Sequence, residues 1–129
     1  MSTKLGQNAI TVNDVDTVIA GPVVTSTLLM DSTVPALKGQ VVKYDSSAHN
    51  WAPFTSWTAG DIMAVFYDDN LHVDAGTALG ADTYAVAIVG GEVNRYALDT
   101  TSLAADAANG DLEAGMRQNG IYLRGAVSA

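Results

Sequence analysis

The sequence predicts a mostly β fold with one short helix (α+β), a small β-rich body preceded by a flexible N-terminal arm. Three observations lead there. Apolar residues make up 48% of the chain and charged residues 16%, too apolar for a disordered chain and too sparsely charged for a solvated helical bundle. Twelve glycines against three prolines, in a background of Val, Thr and Ala, favour short strands joined by tight turns. Short apolar runs bounded by Gly, Asp and Asn recur from Val23 onward, whereas helical spacing shows near the C-terminus alone. A chain of 129 residues is the size of one domain and can bury about two-thirds of the surface its unfolded form exposes.

Ser2 to Ala20 is small and polar, with Ile10, Val12, Val15, Val18 and Ile19 at no sustained period, and is expected to be an extended arm. Gly21-Pro22 punctuates the chain, so residues 1–22 are assigned to the arm and 23–129 to a single body. Val23 to Met30 and Gly39 to Tyr44 read as strands, joined by Asp31 to Leu37 with Pro35 inside it. Asp45-Ser-Ser-Ala-His-Asn50 is turn composition, and Trp51, Pro53, Phe54 and Trp57 follow in what reads as an irregular loop. Ile62 to Tyr67, between Gly60-Asp61 and Asp68-Asp69-Asn70, has the pattern of a buried strand. Tyr84 to Val89 and Glu92 to Leu98 flank Gly90-Gly91, which predicts a hairpin turn. From Asp111 to Gln118 the spacing turns helical: acidic residues open it, Leu112 and Met116 share a face, and Asn119-Gly120 can close it ahead of a strand from Ile121 to Arg124.

Composition excludes several functions. With no cysteine there is no disulfide framework and no thiolate metal or nucleophile chemistry. The net charge is −8, and the six cations are scattered singly at Lys4, Lys38, Lys43, Arg95, Arg117 and Arg124, so neither nucleic acid nor an anionic membrane is an expected partner. No signal-peptide pattern opens the sequence, and no apolar run approaches the roughly 20 residues of a membrane-spanning helix. The expectation is a soluble chain made in the cytosol.

Three groups invite a chemical reading. Asp45, Ser46, Ser47 and His49 hold the residue types of a nucleophilic triad, but no nucleophile elbow is present and Asp-Ser-Ser is ordinary turn composition. Asp68, Asp69, Asn70, His72 and Asp74 offer hard ligands at a spacing that fits no EF-hand, which favours an acidic connecting loop. Gly90-Gly91 lacks the rest of any phosphate-binding fingerprint. No catalytic, cofactor-binding or metal residue is therefore assigned, and the chain is read as a non-enzyme. Trp51, Phe54 and Trp57 are either the plug of a small core or a contact with another subunit or partner.

Four segments, in their order, resemble the head decoration proteins of tailed phages, the family of the phage lambda head-stabilising protein. Gly39-Gln-Val-Val-Lys-Tyr-Asp45 is similar to the family's early strand, and Ala59-Gly-Asp-Ile-Met-Ala-Val65 to its glycine-led apolar strand. Ala85-Val-Ala-Ile-Val-Gly-Gly-Glu-Val93 is similar to its central hairpin, and the run from Asp111 to Arg124 to its terminal helix and Gly-Ile strand. The resemblance implies a virion structural protein, a homotrimer on the outer surface of the expanded capsid at three-fold sites, with the major capsid protein as partner and synthesis in the host cytoplasm. On that reading the arm binds the capsid, with Thr3, Leu5, Ile10, Val12, Val15 and Val18 as the contacting residues. A surface adhesin or carbohydrate-binding β module, using the aromatics from Trp51 to Trp57, is the alternative.

Overall fold

The structure, a computed structural model, describes residues 18–55, 60–69, 71, 73–74, 76–98 and 112–124. Among these the elements run β1 (Ile19–Met30), β2 (Val41–Asp45), β3 (Asn50–Pro53), β4 (Met63–Phe66), β5 (Thr83–Asn94), a 3-10 turn (Arg95–Ala97), α1 (Leu112–Gln118) and β6 (Ile121–Arg124). The described residues are mostly β with one short helix. The strands form one mixed sheet in the order β1-β3-β2-β4-β5-β6. Because β1 also pairs with β5, the first five strands close into a ring and β6 is carried outside it. The β1–β3 and β5–β6 pairs are parallel, and the others are antiparallel.

Period-2 alternation explains why this sheet is buried on both faces. On β4, Met63 and Val65 enter one core while Ala64 and Phe66 enter the other. On β2, Val41 and Val42 divide in the same way. The first core is completed by Phe54, Leu112, Met116, Ile121 and Leu123, and the second by Met30, Val34, Ala85 and Ala87. In α1, Leu112 and Met116 lie four residues apart on one buried face, with Glu113 in the first turn and Arg117 in the last, as the helix dipole favours. Gly120, at φ 79°, ends the helix, its N–H donating to Arg117 O at 3.0 Å.

Three expectations are corrected. Gly90-Gly91 makes no hairpin: β5 runs unbroken through both glycines. Gly90 sits opposite Val24, and Gly91 sits between Val23 and Ile121. On that side β5 changes partner here, from β4 at Val65–Ile88 to β6 at Gly91–Ile121. A Cβ at Gly91 would stand 2.2 Å from Pro22 O and 2.6 Å from Val23 Cα, and its φ is 108°, so the glycine is demanded by a close crossing rather than by a reversal. Gly21-Pro22 is likewise no break between arm and body. Both residues lie within β1, in the irregular stretch between the Ile19–Val93 and Val23–Gly91 pairs, and a bulge of this kind is where a strand tolerates proline. The last run expected as strand, Glu92 to Leu98, leaves the sheet at Asn94 and tightens into the 3-10 turn.

Candidate interaction surface

The aromatic group does not form one patch. Trp51 is on β3 rather than in an irregular loop; it is half-buried against the second core and meets Tyr44 of β2 across the ladder, ring centroids 5.4 Å apart and planes at 58°. Phe54 is only 2% exposed and belongs to the first core, the core-plug side of the two readings. Trp57 lies outside the described residues. Of the arm positions, Val18 is corrected as well: it is 3% exposed in the first core, and its C=O accepts the Asn94 N–H at 2.8 Å. Thr3, Leu5, Ile10, Val12 and Val15 lie outside the described residues.

In the groups that invited chemistry, the Asp45, Asp68 and Asp69 carboxylates have structural partners. The Asp45 Oδ1 accepts the N–H groups of Ser47 at 2.9 Å and Ala48 at 3.3 Å, and His49 N–H donates to Asp45 O at 2.8 Å. His49 itself takes φ 59°, so this segment is the tight connection between β2 and β3. Asp68 Oδ2 accepts the Val86 N–H at 2.9 Å, while Asp69 pairs with Lys38 at 3.2 Å. The Lys38 ammonium also stands 4.6 Å from the Tyr67 ring centroid. Asn70 and His72 lie outside the described residues, among which no group of three or more His, Cys, Asp or Glu could hold a metal ion. Ala36, Leu37, Lys38, Asp68, Asp69, Leu71 and Val73 line an open groove of about 330 Å³.

Each described cation faces a carboxylate: Lys38 with Asp69, Lys43 with Asp61, Arg95 and Arg117 with Glu113, Arg124 with Glu92. Their positive charge is neutralised locally and gathers into no stripe.

One polar assembly was not foreseen. Asn50, 4% exposed, donates from Nδ2 to Asp31 Oδ1 at 3.3 Å and to Asp82 Oδ2 at 3.1 Å, tying the end of β1, the start of β3 and the approach to β5. Asp82 Oδ1 also accepts the Ser32 N–H at 3.2 Å. The Thr33 hydroxyl, then the Thr33 N–H, hold the Asp31 carboxyl below its ordinary value by bonding its charged form. Being depressed in the folded chain, this group adds stability that is complete above its ordinary value and is lost as pH falls through the folded one. No sequence period marks such a clasp, because its three members are separated by whole strands.

The longest run of exposed strand residues among those described is in β1, with Tyr84 of β5 exposed nearby. Val24 is 61% exposed and Tyr84 is 67% exposed, while Thr25, Ser26 and Thr27 are exposed beside them. Tyr122 of β6, 48% exposed, adds an aromatic near the far end of β5, where Glu92 is its register partner. These side chains were missed because strand residues show their face only once register is known. No protein-family model, curated protein or solved structure matches this chain.

Proposed function

We propose that the chain is a virion structural protein that coats the outside of an expanded phage head as a homotrimer at three-fold sites and stabilises it, with the major capsid protein as its partner. The observation that carries the reading is β1. It continues directly from the N-terminal segment, presents exposed Val24 and three small hydroxyl residues, and lies on a body whose Asp45, Asp68 and Asp69 carboxylates are engaged in a turn, a backbone bond and an ion pair. Such a chain offers contact surface rather than a reaction centre. The N-terminal segment, with Thr3, Leu5, Ile10, Val12 and Val15, adds a strand to a capsid edge, main-chain hydrogen bonds supplying affinity. Three such segments on one trimer make attachment multivalent. Binding only the assembled, expanded shell stabilises that state by mass action, since opening the shell must release the bound trimers.

The test is incubation of the purified protein with expanded heads that lack it, followed by sedimentation and a heat challenge. Saturable co-sedimentation with raised heat resistance is expected; absence of binding at every salt concentration would overturn the reading. Removal of residues 1–17, which spares the buried Val18 and all of β1, is expected to leave a folded body that no longer coats heads.

A carbohydrate-binding module is the second reading, and the tilted Tyr44–Trp51 pair favours it, because half-exposed aromatic rings stack on sugars. It requires glycan binding that Trp51→Ala abolishes.

A further inference from the structure

A strand has two edges, and β1 uses one of them along its length. That edge pairs with β5 from Ile19–Val93 to Met30–Thr83. On the other edge the one strand pairing among the described residues is the bridge of Met30 with Trp51, where Asp31 N–H donates to Trp51 O at 2.8 Å. Backbone groups alternate between the two edges, and the β1–β5 register is unbroken from Thr25 to Met30. The N–H and C=O of Thr25 and Thr27 therefore point to the side of Asp31 N, and no described strand meets them there.

Residues 23–28 read Val-Val-Thr-Ser-Thr-Leu, without a charge or a proline. The register irregularities of β1 lie ahead of Thr25, so no bulge interrupts Thr25 to Met30. An uncharged, regular edge of this kind is a template for another strand, and soluble proteins cover or charge such edges. Seventeen residues precede Val18, enough to reach roughly 55 Å when extended. Their most β-prone stretch is Ala9 to Val15, which carries Ile10, Thr11 and Val12.

That stretch cannot serve its own chain's edge by a simple return. Val18 is fixed in the core and bonded to Asn94, so a reversal must occur just before it. In the tightest return, with residues 16–17 as the turn, the chain opposite Thr25 to Leu28 would be roughly Asn8 to Leu5, so Thr11 and Val12 would lie beyond the open positions. The segment of a second copy has no such register constraint.

We propose that, in the protein free of any capsid, the open edge of β1 is covered by Ala9 to Val15 of a second copy, an exchanged strand that stitches the oligomer together. The capsid-bound and the exchanged strand are alternative placements of one segment, so this inference refines the decoration reading but is tested without it.

The chain has no cysteine, so introduced thiols report alone. A size-tagged Val12→Cys chain and an untagged Thr27→Cys chain are refolded together and oxidised, and Thr11→Cys replaces Val12→Cys in a parallel sample to sample the other strand face. A mixed disulfide several-fold above that formed with Ala114→Cys, an exposed site on α1, is expected for one of the two pairs. No excess over that control in either pair overturns the exchange. The double variants Thr11→Cys/Thr27→Cys and Val12→Cys/Thr27→Cys give a second readout: covalent multimers are expected, whereas an intramolecular disulfide that leaves single-chain mass places the segment on its own edge and sinks the proposal. Neither readout involves heads, so coating that persists alongside a negative result removes the exchange and leaves the decoration reading standing.

Discussion

β4 and β1 belong to the same sheet, yet they do opposite things. The four residues of β4 are all buried, alternate side chains entering the two cores. Of the twelve residues of β1 only Met30 is buried, and the strand is held mainly by its ladder with β5. The difference shows that strand length is a poor guide to stability: the short strand organises the packing, and the long one presents a surface. Substitutions in β4 should act on folding, and those on the exposed part of β1 on contacts with other molecules.

The largest expected effect is at Phe66. It is fully buried in the second core among Met30, Val42, Ala64, Ala85 and Ala87. Phe66→Ala should cost about 3–5 kcal/mol, because apolar transfer is lost and a cavity remains. Urea unfolding at constant m-value measures it. A loss under ~1 kcal/mol would mean that β4 does not organise the cores.

The next tests the joint between the two regions. Gly91→Ala places a methyl against Pro22 O and Val23 Cα, backbone atoms that cannot swing aside, at a φ that disfavours any side chain. We expect a loss of about 2–4 kcal/mol, within the range of mutations that force backbone strain. Amide exchange should locate the damage, with protection falling in Ile19–Val24 and Gly90–Val93 while β4 stays protected. Equal loss of protection in β4 would show that the two regions unfold together.

How much of this was legible in the sequence follows from the same contrast. The run from Ile62 to Tyr67 could be read as a buried strand because compact apolar content between turn residues has few other uses, and Asp111 to Arg124 because Leu112, Met116 and Gly120 occupy helix-specific spacings. Gly90-Gly91 misled because glycine answers two needs, a reversal of the chain and the close passage of another backbone; only the position of Pro22 decides between them. Pro22 misled in the same way, since a bulge tolerates what a regular ladder would refuse. Of the surface, the sequence showed aromatic residues but not their sides: Phe54 turns into a core, Trp51 half does, and the exposed pair of Val24 and Tyr84 belongs to strands whose faces are set by register.

The smallest expected effect sharpens the comparison most. Val24→Ser removes an apolar group that is 61% exposed, so in an isolated chain it should change stability by no more than about 0.5 kcal/mol. If the exposed part of β1 is covered by a second copy, the same substitution acquires a cost, and that cost must depend on protein concentration, because association contributes to apparent stability by mass action. Unfolding followed at two concentrations a hundredfold apart separates the cases. A small change at both concentrations assigns Val24 to open solvent even in the assembled protein. A penalty that grows with concentration places Val24 inside a contact between copies, where its exposure in the single chain marks a surface awaiting a partner.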